Sequence, residues 1–133
     1  LLAPTRIYVN SCLALARAGL ANAMAHITGG GLVENVPRVI PDAMQVRIDA
    51  AKWPLPPVFA WLGKVGQVAR AEMVRVFNCG IGMVIVVPAA HKNAAMAMLR
   101  DAGETPYEIG VVVARPSSDA PGCVVDNLDG WKI

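Results

Sequence analysis

A chain of 133 residues is long enough for one domain with a buried core. Hydrophobic residues make up 55% of it and charged residues 17%, an apolar excess. The longest apolar stretch, Ile81 to Ala90, is nevertheless broken by Gly82 and Pro88 and is about half the roughly 20 residues of a membrane-spanning helix. A net charge of +2, with scattered Lys and Arg and few aromatics, argues against a nucleic-acid-binding surface.

In chain order, Asn10 is suited to cap a helix over Ser11–Ala18, which Gly19 ends. Ala23–Thr28 is predicted as a short buried strand, followed by three glycines and a short helix over Leu32–Val39. Ala43–Asp49 alternates, with Met44, Val46 and Ile48 on one face and Gln45, Arg47 and Asp49 on the other, the pattern of a half-buried strand. Trp53–Pro57 is a turn, and Pro57 suits the first turn of a helix reaching about Val65. Glu72–Val76 is predicted as another short helix. Gly82–Val87 is apolar on both faces, as in a central strand, and Pro88 ends it. Lys92–Ala102 is an Ala/Met/Leu helix closed by Gly103. Tyr107–Val113 and Gly122–Val125 complete the strands, the second at an edge, with Ser117–Pro121 a polar turn between them. The fold class that follows is α/β (α+β): a mixed β-sheet with helices packed against it, in one domain over residues 1–133.

The ends and the cysteines add context. Leu1-Leu-Ala-Pro-Thr-Arg6 reads like the interior of a longer chain, and no basic, apolar and cleavage segments of a signal peptide follow one another. Part of the apolar excess is expected to belong to an interface. Three cysteines without a Cys-x-x-Cys pair suit reduced thiols in a cytoplasm and give no zinc site.

The main candidate site is His26-Ile27-Thr28-Gly29-Gly30-Gly31, with Glu34 and Asn35 just beyond. Glycines between a strand and a helix offer free backbone N–H groups and close approach, and a helix start adds partial positive charge, so a phosphate or carboxylate can be held there. Thr28 can cap the turn or donate its hydroxyl, and His26 can donate to an oxyanion or accept a proton. The same residues also make an ordinary tight turn beside a satisfied histidine. A second turn, Asn78-Cys79-Gly80, places Asn78 at a sheet edge, where ligands are often met; Cys79 reads as a small buried residue rather than a nucleophile. Gly80-x-Gly82 is not a dinucleotide fingerprint, because Ile85 stands at the third glycine position and no helix follows. Arg6 is either a bidentate anion clamp or a surface arginine, and Arg38 carries the same ambiguity. His91 reads as a surface or capping residue. Neither a phosphate-binding Gly-x-x-x-x-Gly-Lys-Ser/Thr loop nor a close acidic pair for magnesium occurs, so no metal ligand is assigned.

Taken together, Leu1-Leu-Ala-Pro-Thr-Arg-Ile-Tyr8, His26-Ile-Thr-Gly-Gly-Gly31, Glu34-Asn-Val-Pro-Arg38, Phe77-Asn-Cys-Gly-Ile-Gly-Met83 and Gly103-Glu-x-Pro-Tyr-Glu-Ile-Gly110 resemble the C-terminal domain of the phosphoribosylformylglycinamidine cyclo-ligases, also called AIR synthetases. The resemblance implies a purine-biosynthesis ligase that closes formylglycinamidine ribonucleotide to aminoimidazole ribonucleotide. In that chemistry ATP activates the formamide oxygen as an iminophosphate, the amidine nitrogen attacks, and phosphate leaves. It further implies a two-domain subunit, a homodimer, and a cleft between domains, with ATP and Mg2+ bound mainly by an N-terminal domain absent from this chain. The turn, with Asn35, Arg6 and Asn78, is then expected to line one wall of the cleft, and the fragment alone to be inactive. Relatives of the same two-domain plan include selenophosphate synthetase and formylglycinamidine synthetase. A non-catalytic domain binding an anionic metabolite and a structural dimerisation module are the alternatives from other classes. About 200 further residues upstream would favour the enzyme.

Overall fold

The computed structural model of the chain describes residues 4–133, so the first three residues of the Leu1–Tyr8 motif lie outside the described residues. Five strands and five α-helices are interspersed along these residues. Helix α1, Val9–Arg17, begins two residues before the predicted start, and Tyr8 rather than Asn10 occupies the cap position. Strand β1 is Ala23–His26. Helix α2 is shorter than the sequence pattern predicts: it runs Gly31–Asn35 and then tightens into a 3-10 turn, Val36–Val39. Pro37 explains the change, since it has no N–H to continue the α-helical ladder.

Strand β2, Met44–Asp49, is followed by helices α3, Pro57–Gly66, and α4, Arg70–Val76. Strand β3 is Met83–Val86, and helix α5, Lys92–Asp101, leads to β4, Gly110–Ala114, and β5, Cys123–Asp126.

Two small sheets form. In one, β2 lies between antiparallel β4 and parallel β5, a mixed sheet with β5 at an edge as expected. In the other, β1 pairs antiparallel with β3 alone, with Ala23 opposite Val86 and His26 opposite Met83. The apolar run Gly82–Val87 is therefore no central strand. Only Val84 of β3 is fully buried, and the strand's other side chains are half-buried on both faces. Helix α5 passes from one sheet to the other.

The alternation of β2 holds for Val46 and Ile48, which enter the core, and for Arg47, which is exposed. Gln45 departs from it: it is buried, and its Nε2 donates to the Pro121 carbonyl at 2.7 Å, because the segment leading into β5 covers that face. Leu32, Val36, Ile48, Met73 and Cys79 make the fully buried centre between sheets and helices. Burying a side chain such as Leu32 contributes about 2 kcal/mol. Both α2 and α4 supply this centre, which fixes the turn before α2 against the end of α4.

Candidate functional site

Strand β1 ends at His26, and Ile27 extends the pairing by donating its N–H to the Gly82 carbonyl at 2.9 Å. The chain then turns back. Gly31 N–H donates to the Thr28 carbonyl at 3.0 Å, and Glu34 N–H donates to the Gly30 carbonyl at 3.2 Å. Gly30 and Gly31 both take left-handed backbone, with φ of 97° and 55°. Gly31 is constrained twice, since a Cβ there would run into the carbonyl oxygen of Val74.

Asn35 holds the turn from beneath. Its buried side-chain amide lies 2.8 Å from the Gly31 carbonyl, 3.2 Å from that of Gly29 and 3.3 Å from that of Thr28. Two amide hydrogens thus serve three carbonyls. Its Oδ1 accepts from Arg38 Nη1 at 3.2 Å. Asn35 is engaged with the turn itself and with Arg38. Among the described residues, neither Gly29 N–H nor Gly30 N–H has a hydrogen-bond acceptor.

Gly29 differs from its two neighbours. Its φ is not positive, and a Cβ on it would meet nothing within 4 Å. No feature of this fold requires glycine there, so the bare backbone is available for close approach from outside. The exposed side chains of His26 and Thr28 flank it. The resulting ledge presents two N–H groups, a hydroxyl and an imidazole, a set that can hold phosphate or carboxylate oxygens. The acidic neighbour Glu34 pairs with Arg75, whose Nε donates to Glu34 Oε1 at 3.0 Å, while its Oε2 lies beside Gly30.

The second turn stands at the same end of the β1–β3 pair, with the Val74 and Phe77 carbonyls lying directly against Gly31. Asn78 is half-buried and its Oδ1 accepts from Gly80 N–H at 3.0 Å, shaping this turn. Cys79 is fully buried in left-handed backbone, its carbonyl accepting from Trp53 Nε1 at 2.9 Å. Burial pushes its thiol up to about 12, so it stays neutral and is no nucleophile near pH 7.

Arg6 is engaged with the chain that follows α5. Its Nε pairs with Glu104 Oε2 at 2.8 Å and its Nη2 donates to the Gly103 carbonyl at 2.8 Å, tying the chain to the end of α5. The residue of that motif that reaches the site is Tyr8, whose ring meets the His26 ring edge-on, centroids 6.0 Å apart. Nothing in the local sequence separates Tyr8 from Arg6 as the residue to watch; only the tertiary fold does.

Two surface depressions, of about 340 Å³ between Trp53 and Trp131 and about 500 Å³ between Arg47 and Glu108, are lined by no residue of either turn. Among the described residues no group of three or more His, Cys, Asp or Glu side chains is placed to hold a metal ion. Among the same residues no helix is long and apolar enough to cross a membrane.

Fold and turn together define an α/β domain that presents a glycine-rich ledge between a strand and a short helix. The chain belongs to the family described as AIR synthase related protein, C-terminal domain, which it matches over residues 1–121. It is 54% identical over 125 residues to proteins named phosphoribosylformylglycinamidine cyclo-ligase from Burkholderia mallei (strain SAVP1), Burkholderia pseudomallei (strain K96243) and Burkholderia cenocepacia (strain HI2424). In each case the match covers 94% of this chain and 36% of the relative. The chain therefore spans about a third of the length of the curated relatives it matches.

Proposed function

We propose that this chain is the C-terminal part of a phosphoribosylformylglycinamidine cyclo-ligase, a cytoplasmic homodimeric enzyme of purine biosynthesis. The carrying observation is the 54% identity over 94% of the chain to relatives of that name. In this reading ATP and Mg2+ are bound mainly by the remaining two thirds of the protein, and no residue of this chain is assigned to the metal. ATP converts the formamide oxygen of formylglycinamidine ribonucleotide into a leaving group. The amidine nitrogen closes the ring, and phosphate departs.

The ledge at His26, Thr28, Gly29 and Gly30 supplies one wall of the cleft. It binds anionic oxygens of substrate or released phosphate through preorganised N–H and hydroxyl groups. Asn35 and Asn78 shape the two turns, and Gly31 fixes the first of them against α4. The role of the ledge is to position; the bond-making groups are not assigned to it.

The test is ADP release with formylglycinamidine ribonucleotide, measured on the full-length protein and on residues 1–133 alone. Turnover by the full-length protein and none by the shorter chain is expected. Turnover by residues 1–133 alone, or none by the full-length protein with this substrate, would overturn the reading.

A further inference from the structure

Beyond the residues of the turn itself, we infer that Tyr8 is a positioning residue for His26, and that Gly82 is the opening in the fold that lets it take this role. The inference rests on the reading that His26 faces a ligand. Tyr8 sits at the start of α1, where its carbonyl accepts from Cys12 N–H at 2.9 Å and from Ser11 Oγ at 3.0 Å. Its backbone is thereby fixed by the helix it caps. Its ring is half-buried and meets the imidazole edge-on at an interplanar angle of 66°, within the range where aromatic pairs attract beyond simple burial.

His26 needs such a partner. It is the last residue of a short strand, its side chain is exposed, and it is not in an ion pair among the described residues. An exposed imidazole at a strand end samples several rotamers, and a ligand that uses one of them loses affinity to the rest. The Tyr8 ring narrows that choice.

Gly82 makes the arrangement possible. Its carbonyl accepts from Ile27 N–H beside His26, and a Cβ on it would collide with the Tyr8 hydroxyl. The hydroxyl thus occupies the space that a side chain at position 82 would fill. Burial and the nearby Glu104 carboxylate both push the Tyr8 phenol up from its ordinary value, which keeps the ring neutral.

The experiment is a double-mutant cycle in the full-length cyclo-ligase, read as KM for formylglycinamidine ribonucleotide with kcat measured alongside. Tyr8→Leu is expected to raise KM by about two- to tenfold, the effect of losing one aromatic pair. In a His26→Gln background the same substitution is expected to change KM little, because its effect passes through the imidazole. Tyr8→Phe, which keeps the ring, should stay close to wild type.

An equal rise on both backgrounds would overturn the inference, as would an unchanged KM in Tyr8→Leu beside a raised one in His26→Gln. An unchanged KM in His26→Gln would overturn the ligand-facing reading of the turn, and this inference with it. Where Tyr8→Leu fails to fold, Gly82→Ala is the second probe. It should raise KM by displacing the ring, and adding Tyr8→Phe, which removes the colliding hydroxyl, should restore part of the loss. No restoration would overturn the inference.

Discussion

Three adjacent glycines have three different reasons to be glycine. Gly30 and Gly31 adopt left-handed backbone, and Gly31 also packs against the end of α4. Gly29 has neither constraint. Gly31→Ala should therefore destabilise the domain by at least about 2 kcal/mol, combining backbone strain with overpacking. Gly29→Ala should leave the melting temperature unchanged. Thermal unfolding of the two variants side by side checks this; equal losses would mean that the turn is one structural unit with no free edge. Asn35→Ala removes the amide that serves three carbonyls, one of its bonds buried, and should cost about 1–3 kcal/mol. The measurement is the denaturant midpoint, with an unchanged slope showing that only stability moved.

At the scale of elements, what the sequence disclosed depends on how each element is buried. Strand β2 was legible because Val46 and Ile48 alternate with exposed Arg47. Gln45 broke the pattern only because the distant Pro121 segment covers it. The run Gly82–Val87 misled for a related reason. Its apolar faces signal burial on both sides, and they are half-covered by separate elements rather than by neighbouring strands.

The glycine turn itself was readable from residue types. The partners of Arg6 and Asn35 were not, because they lie 97 and 4 to 7 residues away along the chain. Arg6, Ser11 and Glu104 form the tether between the start of α1 and the end of α5, with Glu104 Oε1 accepting from Ser11 Oγ at 2.9 Å. Glu104→Ala should cost about 1–2 kcal/mol, since it removes both contacts. Glu104→Gln, which loses mainly the ion pair, should cost less than about 1 kcal/mol. Tm values for the two variants are the check, and a larger loss for Gln than for Ala would contradict the tether.

For the whole molecule, the buried thiols set an alkaline limit on stability. Burial raises Cys79 and Cys123 from 9.0 to about 12. The folded state thus holds protons that the unfolded chain releases first. Their contribution is complete below about pH 9 and is lost progressively as the pH rises toward about 12. Stability measured by urea unfolding should fall across that window, and replacing both cysteines with Ala should flatten the fall. At pH 8 a thiol reagent should modify half-exposed Cys12 first, with Cys79 and Cys123 reacting only on unfolding.

The proposed function sets the ledge against the rest of a longer protein, a proposal that fits a chain matching 36% of its relatives' length. Its central claim is that bare backbone at Gly29 is kept for a ligand rather than for the fold. The most direct measurement is the KM for formylglycinamidine ribonucleotide in full-length protein carrying Gly29→Ala. A methyl group in the ligand's path should raise KM by about tenfold or more, the effect of about 1.4 kcal/mol, while the melting temperature stays at the wild-type value. Unchanged kinetics in a normally folded Gly29→Ala protein would contradict the account.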